Sequence, residues 1–164
     1  MLKRTYENQV CSIAGTLELI GERWTLLILR DIFLGIRRFD DLQRELGIAR
    51  NVLRDRLNLL VDADILEKRP YQERPPRFDY RLTEKGIDLW PVMHSMMSWG
   101  DKHTAGDDGP PTVVEHRDCG GRIDEHAVCE KCGEPVGARD VRAKPGPGAP
   151  PDHPWHTARA LAHR

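Results

Sequence analysis

Between residues 116 and 132 the chain sets three cysteines and two histidines, His116 and His126, and His116 stands with the cysteines at spacings that suit a metal ion. His116-Arg117-Asp118-Cys119 gives His-x2-Cys, and after nine residues Cys129-Glu130-Lys131-Cys132 gives Cys-x2-Cys. A two-residue gap lets both ligands of a pair face one ion, and Gly133 permits the tight turn after the last cysteine. Two such pairs supply the four donors of a closed tetrahedral Zn2+ site, whose role is structural because no coordination position stays open. His126 is the alternative to His116 as the nitrogen ligand. Catalysis would need a metal-bound water and a base. Glu125 and Glu130 lie close by, but no His-x-Glu is paired with Pro-Cys-x-x-Cys, so the chain is not expected to be an enzyme. A segment of about 25 residues has too little core to fold unaided, which also favours a metal.

A second constellation is basic. Arg50, Asn51, Arg54 and Asp55 stand in one short stretch, Arg37 and Arg38 precede it, and Arg74 and Arg77 follow it. Arginine can bond guanine bidentately, asparagine can bond adenine, and Asp55 could orient a neighbouring arginine or accept from cytosine. The formal net charge of -1 argues against nucleic acid, so the case must be local. From Arg37 to Arg56 there are six arginines against four acids, and from Lys68 to Lys85 six lysines or arginines against three acids. A run of arginines often does no more than solvate a helix face. Two basic clusters on two separate elements need a further reason.

The elements that would hold these side chains follow from periodicity. Ile13, Leu17 and Ile20 fit one helical face ended by Gly21, and Trp24, Leu27, Ile28 and Phe33 fit a second ended by Gly35. Asp40 and Asp41 open a third helix, with Leu42 and Leu46 inward and Gly47 as its stop. Leu53, Leu57 and Leu60 stripe a fourth over Arg50–Asp62, which turns Asn51, Asp55 and Asn58 outward with Arg50 and Arg54 on one shoulder. Ile65–Arg69 and Arg77–Leu82 read as strands joined by a turn over Tyr71–Pro76. Thr83 opens a long last helix with Ile87, Trp90, Met93, Met97 and Trp99 at three- and four-residue steps. Two helices joined by the tight turn Gly47-Ile48-Ala49 and followed by a hairpin make a winged helix-turn-helix. The two basic clusters then fall on the recognition helix and the wing, the two elements such a fold presents to duplex DNA. Arg74 and Arg77 flank the wing tip, where phosphate or minor-groove contact is expected. Arg37 and Arg38 lie near a helix N-terminus that could meet a phosphate.

These residues also resemble a family. Cys11-Ser12-Ile13-Ala14, Leu17-Glu18-Leu19-Ile20-Gly21-Glu22-Arg23-Trp24-Thr25-Leu26-Leu27-Ile28-Leu29-Arg30, Gly35-Ile36-Arg37-Arg38-Phe39 with Leu42, and Pro75-Pro76-Arg77-Phe78-Asp79-Tyr80-Arg81-Leu82-Thr83-Glu84-Lys85-Gly86 are similar to the corresponding segments of HxlR-type regulators. The likeness covers about Cys11 to Gly100. It implies a homodimeric bacterial transcription regulator paired through its first and last helices; repression is the leading expectation, although the sequence does not separate it from activation. Here those carry Leu17 and Ile20, and Trp90, Met93, Met97 and Trp99. A two-fold dimer would read a palindromic operator with half-sites about 34 Å apart or a multiple of that. Cys11 stands where some family members carry a thiol that senses oxidants or electrophiles. The plain reading of such a cysteine is a small buried apolar residue. Paired C-terminal Cys/His motifs occur in some HxlR-like proteins and are absent from many.

The expected class is mainly α with a small β-hairpin: a winged helix-turn-helix with a C-terminal zinc-ribbon-like module. Residues 1–105 would form the DNA-binding and dimerisation domain, 112–140 the Cys/His module, and 141–164 a disordered tail. Lys144-Pro145-Gly146-Pro147-Gly148-Ala149-Pro150-Pro151 drives that last expectation, with a short helix from Trp155 to Arg164 as an option. Asp107-Asp108-Gly109-Pro110-Pro111 reads as a linker. No run of eighteen apolar residues exists and the N-terminus lacks a secretory apolar stretch, so a cytoplasmic location with reduced thiols is expected. The effector is unknown at this level. The competing reading is a winged-helix protein-interaction adaptor with a structural zinc module.

Overall fold

The structure, a computed structural model, describes residues 10–150. The proposed helix at Trp155–Arg164 lies outside the described residues. Two compact units are present, Met1–Gly86 and Ile87–Arg164.

The first unit runs α1 (Ser12–Ile20), α2 (Arg23–Phe33), α3 (Phe39–Leu46), α4 (Arg50–Asp62), β1 (Leu66–Gln72) and β2 (Arg77–Leu82), closing on the short α5 (Glu84–Ile87). Its core holds Ile28 of α2, Leu42 of α3, and Leu53, Leu57 and Leu60 of α4 from the helical stripes, joined by Leu29, which the α2 stripe left out, and by Ile65 and Leu66, all with at most 1% exposure. The stripe residues Trp24, Leu27, Phe33 and Leu46 are half-buried. Burying a side chain of this size gives about 1.5–3 kcal/mol, which locks α3 and α4 into one body. Gly47 ends α3 in the left-handed region at φ +63°, which a side chain would resist. Asp31 is fully buried on α2, where its carboxylate accepts from the Arg30 guanidinium at 2.8 Å.

β1 and β2 form an antiparallel hairpin from Leu66↔Leu82 to Gln72↔Arg77, with an irregularity at Tyr71. β1 therefore runs past the predicted end at Arg69. A two-stranded ribbon has open edges, so Pro70 can sit in β1 without removing a needed donor. A bridge from Arg38 to Asp79, with the Tyr80 N–H donating to the Arg37 carbonyl at 2.8 Å, ties the start of α3 to the wing. Thr83 accepts from the Gly86 N–H at 3.1 Å and donates to the Asp64 carbonyl at 2.7 Å. A Cβ on Gly86 would run into the Ile65 carbonyl oxygen, so that turn requires glycine for space.

The long last helix expected from Thr83 is two helices. α5 stops at Ile87 and α6 (Trp90–His103) restarts with Pro91 in its first turn. Proline lacks an N–H and clashes with the carbonyl four residues back, so it opens a helix and does not continue one.

The second unit holds α6 and an antiparallel ribbon of β3 (Thr112–His116) and β4 (Val141–Pro145), paired from Thr112↔Pro145 to His116↔Val141. The residues from 141 onward were expected to be disordered. The first five of them are a strand, and backbone bonds continue to Gly146 and Gly148, whose N–H groups donate to the Pro111 and Pro110 carbonyls. Composition misled here because a partner strand 25 or more residues earlier supplies the hydrogen bonds. The compact unit also begins at Ile87, so α6 groups with the Cys/His segment and not with the winged helix.

Candidate DNA-binding surface and metal centre

α4 presents Arg50, Asn51, Arg54, Asp55 and Asn58 to solvent, as the Leu53–Leu57–Leu60 stripe requires. Their surroundings differ. Arg50 bonds Asp40 of α3 at 2.9 Å and lies over the Phe39 ring at 4.8 Å, so its guanidinium is held across the turn. Arg54 stands 3.7 Å from Asp55, with both side chains well exposed. Asn58 accepts from Lys68 of β1 at 3.1 Å, which joins the helix to the base of the wing. Arg56 turns toward Glu22 at 3.8 Å and is partly covered, on the other side of the helix from Arg50 and Arg54.

Arg38 stacks on the Tyr71 ring at 4.5 Å and stands 3.7 Å from Asp79, so it is held against the wing. Arg37, Arg74 and Arg77 are exposed, and among the described residues no carboxylate pairs with them. Tyr71 and Phe78 are also exposed on the hairpin, a feature that the charge-based reading missed.

The sequence-derived metal ligands converge. His116, Cys119, Cys129 and Cys132 place one donor atom each within 4.8 Å of one another. His116 Nδ1 lies 3.3 Å from Cys132 Sγ and 3.5 Å from Cys119 Sγ, and Cys119 Sγ lies 3.4 Å from Cys129 Sγ. Donors on one tetrahedral Zn2+ ion would stand about 3.5–3.8 Å apart, given Zn–S and Zn–N bonds of about 2.3 and 2.0 Å. The one-nitrogen, three-sulfur set therefore fits such an ion with small adjustments. His126 is exposed with its ring beside Glu125 at 3.9 Å, so His116 is the histidine in the cluster.

The two halves of the site share one turn. The Gly120 N–H donates to the His116 carbonyl at 2.9 Å, and the Gly133 N–H to the Cys129 carbonyl at 2.8 Å. Both glycines are left-handed, at φ +71° and +74°. The signal was legible: each ligand pair is followed directly by glycine, although only Gly133 had been singled out. A Cβ on Gly121 would stand 2.5 Å from Cys129 Sγ, so the cluster closes only around glycine. Burial pushes the Cys129 thiol up, but the Cys132 and Lys131 N–H groups and the Cys119 and Cys132 thiols outweigh it and bring it down to about 6. A thiol ionised near neutrality is ready to ligate. When bound, a metal would cross-link the segment; the residues themselves orient the donors.

The dimer candidates divide. Ile20 and Trp90 are buried and offer no surface, Met93 and Met97 are half-buried, and Leu17 and Trp99 are exposed. Ile13, which the α1 stripe includes, is also exposed, and the exposed apolar residues outside the stripes are Leu19 on α1 and Val92 and Met96 on α6. Cys11 is exposed at the N-terminus of α1, where hydrogen bonds from the Ala14 and Ile13 N–H groups lower its thiol from the usual value. It is not the buried apolar residue of the plain reading.

Comparison with known proteins agrees with this geometry. The model of the HxlR-like helix-turn-helix family matches residues 19–108. An HTH-type transcriptional regulator of Mycobacterium tuberculosis is 47% identical over 147 residues, covering 90% of this chain and 92% of that protein. The HTH-type transcriptional regulator YodB of Bacillus subtilis is 32% identical over 97 residues, 58% of this chain and 87% of its own. Among solved structures, that of PA1607 superposes with a TM-score of 0.67 at 34% identity, covering 84% of this chain and 96% of the other. The redox regulator HypR in its oxidised form gives 0.54 at 29% identity over 58% of this chain and all of its own. These relatives are transcription regulators and not enzymes, and no helix among the described residues is long and apolar enough to cross a membrane. The fold is a winged helix-turn-helix, and the chain belongs to the HxlR-like helix-turn-helix family of transcription regulators.

Proposed function

We propose that the protein is a cytoplasmic, homodimeric repressor that reads a palindromic operator through α4 and clamps the flanking backbone with its wing. The observation that carries this is the exposed Arg50–Asn51–Arg54–Asp55 face of α4 beside a wing bearing Arg74 and Arg77. In this reading Arg54 and Asn51 meet base edges in the major groove, with Arg50 pre-oriented by Asp40 and Asp55 holding Arg54. Arg37, Arg38, Arg74 and Arg77 meet phosphates. Copies pair through the exposed apolar residues of α1 and α6, since surface of that kind marks an interface. The His116–Cys119–Cys129–Cys132 cluster holds a structural Zn2+ in a zinc-ribbon-like module.

Cys11 is the proposed signal input. It is exposed, its thiol is lowered, and two structural relatives are described as the redox regulator HypR and the transcriptional regulator YodB in its reduced form. The experiment is selection of genomic fragments by purified protein with and without a peroxide. The reading expects one inverted-repeat motif, bound by parent and Cys11→Ser protein alike, with peroxide weakening only the parent. Failure to enrich any motif would favour the adaptor reading.

A further inference from the structure

Two buried residues of α6, Trp90 and His94, stack with ring centres 4.9 Å apart and planes 8° from parallel. His94, 4% exposed, reaches across to the Cys/His module with its Nε2 2.7 Å from the Asp124 carbonyl oxygen. A carbonyl only accepts, so Nε2 carries the proton. The other ring nitrogen, Nδ1, is buried with no hydrogen-bond partner among the described residues. Asp101, farther along α6, has its carboxyl raised above the usual range by burial, with the Arg122 charge acting against that, a second place where this helix faces the module.

Asp124 heads the loop that leads into Cys129. Its carboxylate accepts from the His126 and Val128 N–H groups at 2.9 and 2.8 Å, and its carbonyl also accepts from the Ala127 N–H at 3.1 Å. Ala127 sits at φ +61°, a conformation that persists in a non-glycine residue only where its surroundings over-determine it. Ile123 bridges to Cys129, and the Val136 N–H closes on the Ala127 carbonyl at 2.9 Å. The acceptor of the His94 bond is therefore set by the same hairpin whose end is a metal ligand.

We infer that His94 is a positioning residue through which α6 senses whether the Cys/His cluster is filled. This rests on the reading that the cluster binds Zn2+. With the ion in place, Cys129 is pinned, the Asp124 carbonyl is fixed, and α6 is clamped by the His94 bond, whose ring the Trp90 stack within the same helix holds in place. With the ion gone, the loop relaxes and the clamp weakens. α6 has 14 residues. A helix of that length is marginal in water without packing, so it depends on this contact. The same helix exposes Val92, Met96 and Trp99, so metal occupancy would govern how firmly that apolar stripe is presented.

The test uses the full chain. Elemental analysis first measures Zn2+ per chain; a value near zero overturns the metal reading itself, and this inference with it. For the loaded protein, hydrogen exchange is followed over α6 before and after chelation. His94→Phe, which keeps the ring stack and removes the donor, is followed in the loaded state. Chelation and His94→Phe should each speed α6 exchange by about tenfold, the size expected for one lost hydrogen bond. Coupling is reciprocal, so His94→Phe should also weaken Zn2+ in competition with a chelator by a similar factor. Unchanged α6 exchange on chelation, or unchanged Zn2+ affinity in His94→Phe, would overturn the proposal while leaving the metal site standing.

Discussion

Arg50 and Arg54 lie four residues apart on α4, yet their surroundings assign them different work. Arg50 is engaged by Asp40 at 2.9 Å and by the Phe39 ring, so part of its bonding capacity is spent inside the protein. Arg54 has only a loose carboxylate at 3.7 Å and a side chain two-thirds exposed, at 66%. A bidentate contact to guanine needs a free planar fork, and Arg54 has it. Arg54→Ala should therefore cost about 1–3 kcal/mol on the selected operator and much less on random duplex. Equal losses on both duplexes, measured by titration at fixed salt, would move Arg54 to the phosphate class.

At the scale of elements, the β3–β4 ribbon carries a pH signature of its own. Glu115 of β3 faces Arg142 across the register and also pairs with Lys144 of β4. The Lys144 hydrogen bond is the largest cause holding its carboxyl below the usual range, burial opposes it, and Arg142 adds to it. A carboxyl depressed in the folded state contributes stability that is fully present above its unfolded value, about 4.3, and is lost as pH falls through the lower folded value. Acid unfolding of Glu115→Gln should therefore start from lower stability at neutral pH and converge on the parent as the pH falls through the depressed folded value of Glu115. A constant difference at every pH would mean the side chain acts by packing alone. This ribbon was also the element least legible in the sequence. Gly47 and the Leu53–Leu57–Leu60 stripe mark α3 and α4 because helical signals are local. β4 has no such signal: Val141–Pro145 becomes a strand because Thr112–His116 is there to pair with it. The metal cluster was legible because its spacing repeats, whereas the bond from His94 to Asp124 spans thirty residues and leaves no pattern.

For the whole molecule the question is how a chain of net charge -1 holds onto a polyanion. The acids are not gone; they are placed. Asp40, Asp41 and Asp79 each stand within 4 Å of an arginine and hold it, Asp55 stands loosely beside Arg54, and Arg37, Arg74 and Arg77 are left without an ion pair among the described residues. In a two-fold dimer three unpaired arginines per copy would neutralise about six phosphates, for a salt slope near -5 and roughly a thousandfold weaker binding between 50 and 200 mM salt. Arg74→Ala and Arg77→Ala should each lower affinity by a similar factor on operator and random DNA, and each should reduce the slope by about one per arginine removed from contact, so by about two in a dimer. Titration over a salt series reads slope and intercept together. A variant that loses affinity with its slope intact would place its arginine on a base or in the fold, and the clamp would then have to be sought in Arg37 and Arg38, where the bridge to Asp79 joins α3 to the wing.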